Sequence, residues 1–224
     1  MDFIGPLLHQ VLPAIVSSRQ GDIGGTLQPV LWEATQRGSG GISESGYPDT
    51  SDLVRCRGSG DRECSAWMGA AREYGVNVLA LYAVAIQETG VRWTDGFVRP
   101  WPWTLNSPAT GALYFRTYED CLRSLEALLT RGETNVDVGL MQINVRANGW
   151  RIGSLAQLLV TKNNIRVAAQ IIREGLTSHG EDWKVALARY HSPRDELGVP
   201  YANAVMNTIR ALASSLHVVS ALTG

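Results

Sequence analysis

The chain has 224 residues, 20 Lys and Arg against 21 Asp and Glu, a formal net charge of -1 and a pI near 6.4. Apolar residues make up 45% and charged residues 18%, the balance of a globular protein with one core-forming domain and room for an extension. Without a cluster of Lys and Arg, nucleic acid is excluded as the main ligand, and the longest apolar stretch, Val78 to Ile86, falls well short of the about 20 residues that span a bilayer.

In chain order, residues 1–20 place Phe3, Leu7, Leu8, Val11, Leu12 and Ile15 on one helical face, with Pro13 positioned to kink or end it. This start carries Asp2 and no Lys or Arg before Arg19, so it is a poor secretory signal. If the protein works outside the cytoplasm, the expectation is that its signal has been removed and Met1 added. Gly24-Gly25, Gly38-Ser39-Gly40-Gly41 and Gly58-Ser59-Gly60 then punctuate a loop-like arm, residues 1–64 in all, interrupted by the apolar patch Val30-Leu31-Trp32. Cys56 and Cys64 are close enough for a bridge in an oxidising compartment, whereas Cys121 reads as a small buried hydrophobe.

From Ser65, a candidate cap, the pattern is helical. Trp67, Met68, Ala71 and Tyr74 form a first helix stopped by Gly75, and Asn77 caps a second, Val78 to Thr89, that is apolar nearly all round and stopped by Gly90. A helix apolar on every face belongs at the centre of a domain. Trp101 to Asn106 and Ala112 to Arg116 predict a small β-hairpin, and Asn135-Val-Asp-Val138 looks turn-like. Thr117, with Asp120 three residues on, caps a helix with Cys121, Leu122, Leu125, Leu128 and Leu129 on one side. Ser154 caps a further helical stretch, followed by helices over Asn164 to Glu174, Asp182 to Tyr190 and Ala202 to Leu216, with 217–224 as a tail. The fold class is mainly α with a small β-hairpin insert.

Three segments carry candidate chemistry. Glu88 lies in the last turn of the apolar helix, where low polarity and the negative helix end both disfavour its charge. Such a carboxyl suits a general acid; a Glu swinging into solvent at a frayed end is an equal alternative. Gly139-Leu-Met-Gln-Ile-Asn144 mixes apolar and amide side chains, so Gln142 and Asn144 either line a groove able to meet sugar hydroxyls and acetamido groups or bond to backbone. Tyr190, in Ala188-Arg-Tyr-His191-Ser-Pro193, lines a groove or sits in the core. The glycines at 38–41 lack the pattern of a dinucleotide loop. His9, His179, His191 and His217 have no metal-ligand spacing, and no cofactor or metal is expected.

Glu88-Thr89, then Gly-Leu-Met-Gln, then Ala-x-Tyr, in this order, resembles the lytic transglycosylase catalytic domain, a goose-type-lysozyme-like fold. Asn164-Ile-x-x-Ala-Ala169 and Asp182-Trp183-x-x-Ala-Leu-Ala188 are similar to its supporting helices, and the resemblance covers roughly residues 65–215. The long stretch between Glu88 and Gly139 is similar to the branch associated with conjugation, type IV pili and type IV secretion. Two positions depart from the family: Thr89 stands where Ser is usual, and His191 where Asn is usual.

The resemblance implies a catalytic domain over 65–216 that cleaves the β-1,4 bond between N-acetylmuramic acid and N-acetylglucosamine in peptidoglycan. It implies a periplasmic or envelope location and secretion, conjugation or pilus components as partners. Glu88 is then the catalytic acid, with Thr89, Met141, Gln142, Asn144 and Tyr190 as substrate-binding residues. Met141 packs on a sugar face, and Gln142 and Tyr190 position the acetamido group. Asp95 and Asp137 are the available second carboxylates, with tying down the hairpin the favoured role for Asp137. Trp101, Trp103 and Tyr114 either wall the groove or form a satellite core. A lysozyme-like hydrolase and a non-catalytic wall-binding protein stay open beside this reading.

Overall fold

Helix α1 (Ala66–Tyr74) turns through Gly75 into α2 (Val78–Thr89). Asn77 starts α2 as expected, its Oδ1 accepting from the Leu79 and Ala80 N–H groups at 2.8 and 3.3 Å. Every side chain from Ala80 to Ile86 is buried, which makes α2 the axis of the core. The helix stops at Gly90, whose N–H bonds to the Ile86 carbonyl; a Cβ there would collide with that carbonyl and with Val98. The computed structural model describes residues 66–92 and 98–223, with side chains placed to residue 214. The arm, Cys56, Cys64, Ser65 and Asp95 lie outside the described residues.

Strand β1 (Gly90–Arg92) pairs antiparallel with β2 (Val98–Pro100), an addition to the expected elements. The expected hairpin is β3 (Thr104–Ser107) with β4 (Gly111–Tyr114). Helix α3 (Tyr118–Thr130) follows, capped by Thr117, and buries Cys121, Leu125 and Leu128. Cys121 is a free thiol, and burial pushes its pKa up to about 12.

Asn135–Val138 is not the turn that was expected. Asp137–Val138 forms β5, which pairs with β3 on one side and with β6 (Ile143–Asn144) on the other, giving the order β4-β3-β5-β6. Strands of two residues are too short to show alternation in a sequence. The register places Leu105, Val138 and Ile143 in one row, all of them in the core. The neighbouring row, on the opposite face, is Asn106, Asp137 and Asn144.

Helix α4 (Val145–Asn148) and two short 3₁₀ turns lead to α5 (Thr161–Ser178), α6 (Trp183–His191) and α7 (Asp195–Thr223). Ser154 makes no side-chain cap, and the segment after it is a 3₁₀ turn, Leu155–Leu159. Helix α7 starts before Pro200, which lies in its second turn and lacks the N–H for one intrahelical bond. It also runs past Leu216 through the residues expected as a tail, since Val218 to Leu222 contains no Gly or Pro to stop it. Gln87 on α2 donates through Nε2 to Thr208 Oγ1 on α7 at 2.8 Å, joining the two helices. The described chain is mainly α with small antiparallel sheets, and none of its helices is long and apolar enough to cross a membrane.

The turn between β5 and β6 is held from α5. Asn164 is fully buried; its Nδ2 donates to Val138 O at 2.9 Å and Leu158 O at 2.8 Å, and its Oδ1 accepts from Met141 N at 2.8 Å. Gly139 has φ 78°, and a Cβ there would stand 2.5 Å from Asn164 Nδ2. Asn164→Leu strands three buried backbone groups, and we expect a loss of about 3–5 kcal/mol in urea unfolding. Gly139→Ala should cost about 2 kcal/mol or more through strain and overlap.

Candidate active site

The turn Gly139–Gln142 is the meeting point of the site. A reversal this tight interrupts the sheet ladder after Val138, and buried carbonyls need donors. Four successive carbonyls receive them from four elements. Val138 O accepts from Asn164 on α5. Gly139 O accepts from Thr104 Oγ1 on β3 at 2.9 Å, Leu140 O from Thr89 Oγ1 at the end of α2 at 2.9 Å, and Met141 O from Tyr190 Oη on α6 at 2.7 Å.

These bonds place several of the expected site residues in the framework of the turn. Thr89 is 1% exposed and its hydroxyl donates to the Leu140 carbonyl, which anchors the turn. Met141 is 0% exposed and contributes only its backbone, so it offers no surface to a sugar ring. Asn144 caps α4 through Oδ1 and donates through Nδ2 to Asn135 Oδ1 and Asp137 Oδ1, at 3.0 and 2.8 Å. Its role is to position Asp137.

Gln142 holds a left-handed φ of 48°, uncommon for a side chain with a Cβ. Its Nε2 bonds to Thr104 Oγ1 at 2.9 Å and Gly139 O at 2.8 Å, which offsets that strain. Both amide hydrogens are thereby committed, and Oε1 of this half-buried side chain is the group left to meet a ligand.

Glu88, half-buried and adjacent to Thr89, accepts at Oε1 a hydrogen bond of 2.6 Å from Tyr201 Oη on α7. The Tyr201 ring is stacked on His191, with centroids 4.3 Å apart and planes 4° from parallel. The Glu88 charge also reaches Tyr114 on β4 and Tyr190 on α6. Burial raises the pKa of both phenols and the Glu88 carboxylate adds to it; for Tyr190 the Asp137 carboxylate contributes as well. The structure therefore gathers Glu88, Tyr114, Asp137, Tyr190, His191 and Tyr201 around the turn. Among the described residues, no group of three or more His, Cys, Asp or Glu is placed to hold a metal ion.

The aromatic insert divides between its two readings. Trp101 is buried, with Nε1 donating to Phe115 O at 2.7 Å, and packs edge-on against the partly buried Trp103, which itself lies against the core. Tyr114 lies toward Glu88. Sequence reasoning did not single out Tyr201 or Thr104, and it named Asn164 only within a supporting helix. A Tyr just ahead of the expected helix Ala202 to Leu216 carries no sign of its partner, and the pairing with Glu88 spans 113 positions.

Asp137 occupies the centre of the polar row on the sheet. Its Oδ1 accepts from Asn144 Nδ2 and its Oδ2 from Asn106 Nδ2 at 3.2 Å, which ties β5 to the hairpin as expected. Burial raises its pKa above the ordinary 3.8, against the pull of the two amides and of His191. A carboxyl whose folded-state pKa is raised binds more protons folded than unfolded, so its contribution to stability falls as pH rises above 3.8. Asp137→Asn should remove that decline, so the stability difference between wild type and variant should drift with pH from 3.8 upward in chemical denaturation. No protein-family model, curated protein or solved structure matches the chain.

Proposed function

We propose that residues 65–216 are a lysozyme-like lytic transglycosylase domain that cleaves the β-1,4 bond between N-acetylmuramic acid and N-acetylglucosamine. The observation that carries this reading is the placement of Glu88. A carboxylate at the end of a buried helix accepts from Tyr201 and stands next to a Gly-Leu-Met-Gln turn pinned by Thr89 and Tyr190. A single well-held carboxyl beside tyrosines and an amide suits a substrate-assisted glycosidic cleavage.

In this mechanism Glu88 accepts from Tyr201 at Oε1 and carries its proton on Oε2. It gives that proton to the glycosidic oxygen as the C1–O bond breaks. The 2-acetamido group stabilises the positive charge at C1, and the Gln142 Oε1 accepts from the acetamido N–H. The Glu88 carboxylate then takes the proton of the muramyl C6 hydroxyl, whose oxygen bonds to C1 and closes a 1,6-anhydro ring. Glu88 ends protonated as it began, and no water is consumed. The near-neutral net charge suits a substrate read through sugar rings and amides.

The setting that goes with this activity is the periplasm or cell envelope. There the enzyme would open the wall for a conjugation, pilus or type IV secretion apparatus, with residues 1–64 as an arm outside the catalytic body. A hydrolase is the second reading, and Asp137 is the observation that favours it. Its charge acts on the same Tyr190 as that of Glu88, and a second carboxylate is what a water-consuming glycosidase uses.

Glu88→Gln should lower lysis of purified sacculi by about 10²- to 10⁴-fold, the contribution typical of a general acid, while sedimentation with sacculi is retained. Unchanged lysis would remove Glu88 from the acid role. Mass spectrometry of the wild-type digest should give anhydromuramyl ends, one water lighter than reducing ends. Reducing ends, lost in Asp137→Asn, would establish the hydrolase instead. Binding without lysis by the wild type would leave a non-catalytic wall protein.

A further inference from the structure

His191 is the last residue of α6, directly after the Tyr190 that anchors the turn through Met141 O. Its imidazole lies face to face with the Tyr201 phenol, 4.3 Å between centroids and 4° between planes. Parallel contact at that distance restricts the phenol to one plane, and the same phenol donates the 2.6 Å bond to Glu88. The three side chains come from α6, α7 and α2, and form one line from the helix end to the carboxylate.

We propose that His191 is a positioning residue for Glu88: its ring, held by α6, fixes the Tyr201 hydroxyl and through it the orientation of the carboxyl. This rests on Glu88 being the general acid. A carboxyl in the last turn of a helix has freedom about its side-chain torsions, and one hydrogen bond from a rotating phenol removes only part of it. Stacking the phenol on an imidazole whose backbone is tied to the turn removes more. A displacement of about 1 Å at a reacting group can cost on the order of 10²-fold in rate, so restriction of this kind falls on turnover.

The choice of imidazole over a plain aromatic ring adds a charge state. From β5, Asp137 faces His191 and favours its protonated form; from α7, Tyr201 presents a π-face that attracts a cation. Desolvation outweighs Asp137 and lowers the His191 pKa from its ordinary 6.5. Arg189, two residues earlier on α6, is committed to the Pro193 carbonyl and to Asp195 on α7. With its pKa lowered, the ring gains its proton on the acid side, where a positive charge against the phenol alters its donation to Glu88.

The test compares wild type, His191→Ala, His191→Phe and Glu88→Gln on soluble peptidoglycan fragments, with kcat and KM measured from pH 4.5 to 8. His191→Ala should lower kcat about tenfold with KM little changed, since ring positioning acts on the acid and not on sugar binding. His191→Phe keeps the stack and should restore most of kcat, but its kcat profile should lack the His191 ionisation expected on the acid side in the wild type. Wild-type kcat in His191→Ala, a change confined to KM, or equal kcat in the Ala and Phe variants would overturn the positioning role. An identical pH profile in His191→Phe would overturn the charge coupling. Glu88→Gln separates the two levels: if it cleaves as well as wild type, the general-acid reading fails whatever His191 does.

Discussion

Four backbone carbonyls in succession, Val138 to Met141, set the terms for the rest of the molecule. Their chain reverses inside the protein, where the sheet ladder ends at Val138 and the turn's own backbone reaches Gly139 O from Gln142 N, and an unpaired buried carbonyl costs about 1–3 kcal/mol. Each is met by a side chain from a different element: Asn164, Thr104, Thr89 and Tyr190. The constraint runs both ways. The turn persists because α5, β3, α2 and α6 supply donors, and those elements take up fixed positions because one small object requires a donor from each.

The sheet beneath the turn is organised by the same logic at right angles. Its core row, Leu105, Val138 and Ile143, excludes water; its other row, Asn106, Asp137 and Asn144, is a carboxylate between two amides. Asn and Asp are poor strand formers, and a two-residue strand has little backbone pairing to hold it. Cross-strand bonds from Asn106 and Asn144 to the two Asp137 oxygens supply what the ladder lacks. The cost is a carboxylate kept away from water, which is why its pKa is raised and why it acts on both Tyr190 and His191.

The helices were largely legible because their signals are local. Asn77, Thr117 and Asp182 each cap the helix they were expected to start, or lie at its expected N-terminus, and the apolar run after Asn77 is the central helix. What escaped was non-local or too short. Strand β5 exists through pairing with β3 and β6 through pairing with β5, and residues 135–138 carry turn-like composition because Asn and Asp there bond across strands. Among the site residues, Glu88, Gln142 and Tyr190 lie at the turn or next to it. Thr89, Met141 and Asn144 belong to the framework: a hydroxyl, a thioether and an amide look the same in a sequence whether they face a ligand or a carbonyl. The decisive partner of Glu88, Tyr201, is placed by the packing of α7 on α6 and α2, which no spacing along the chain encodes.

The anchors and the groups that face the site are neighbours in sequence, and helix geometry explains why. Thr89 is tied into the turn, so Glu88, one residue earlier and about 100° round the helix, is presented beside it. Tyr190 is tied into the turn, so His191, one residue later, is presented to Tyr201. In each pair the residue bonded to a carbonyl has lost its freedom, and its neighbour inherits a fixed backbone while keeping its own side-chain chemistry. Tyr201 closes the arrangement from α7, touching Glu88 with its hydroxyl and His191 with its ring. A substitution at an anchor therefore moves a reactive group it never contacts, and the turn at 139–142 governs the carboxyl through two helices at once.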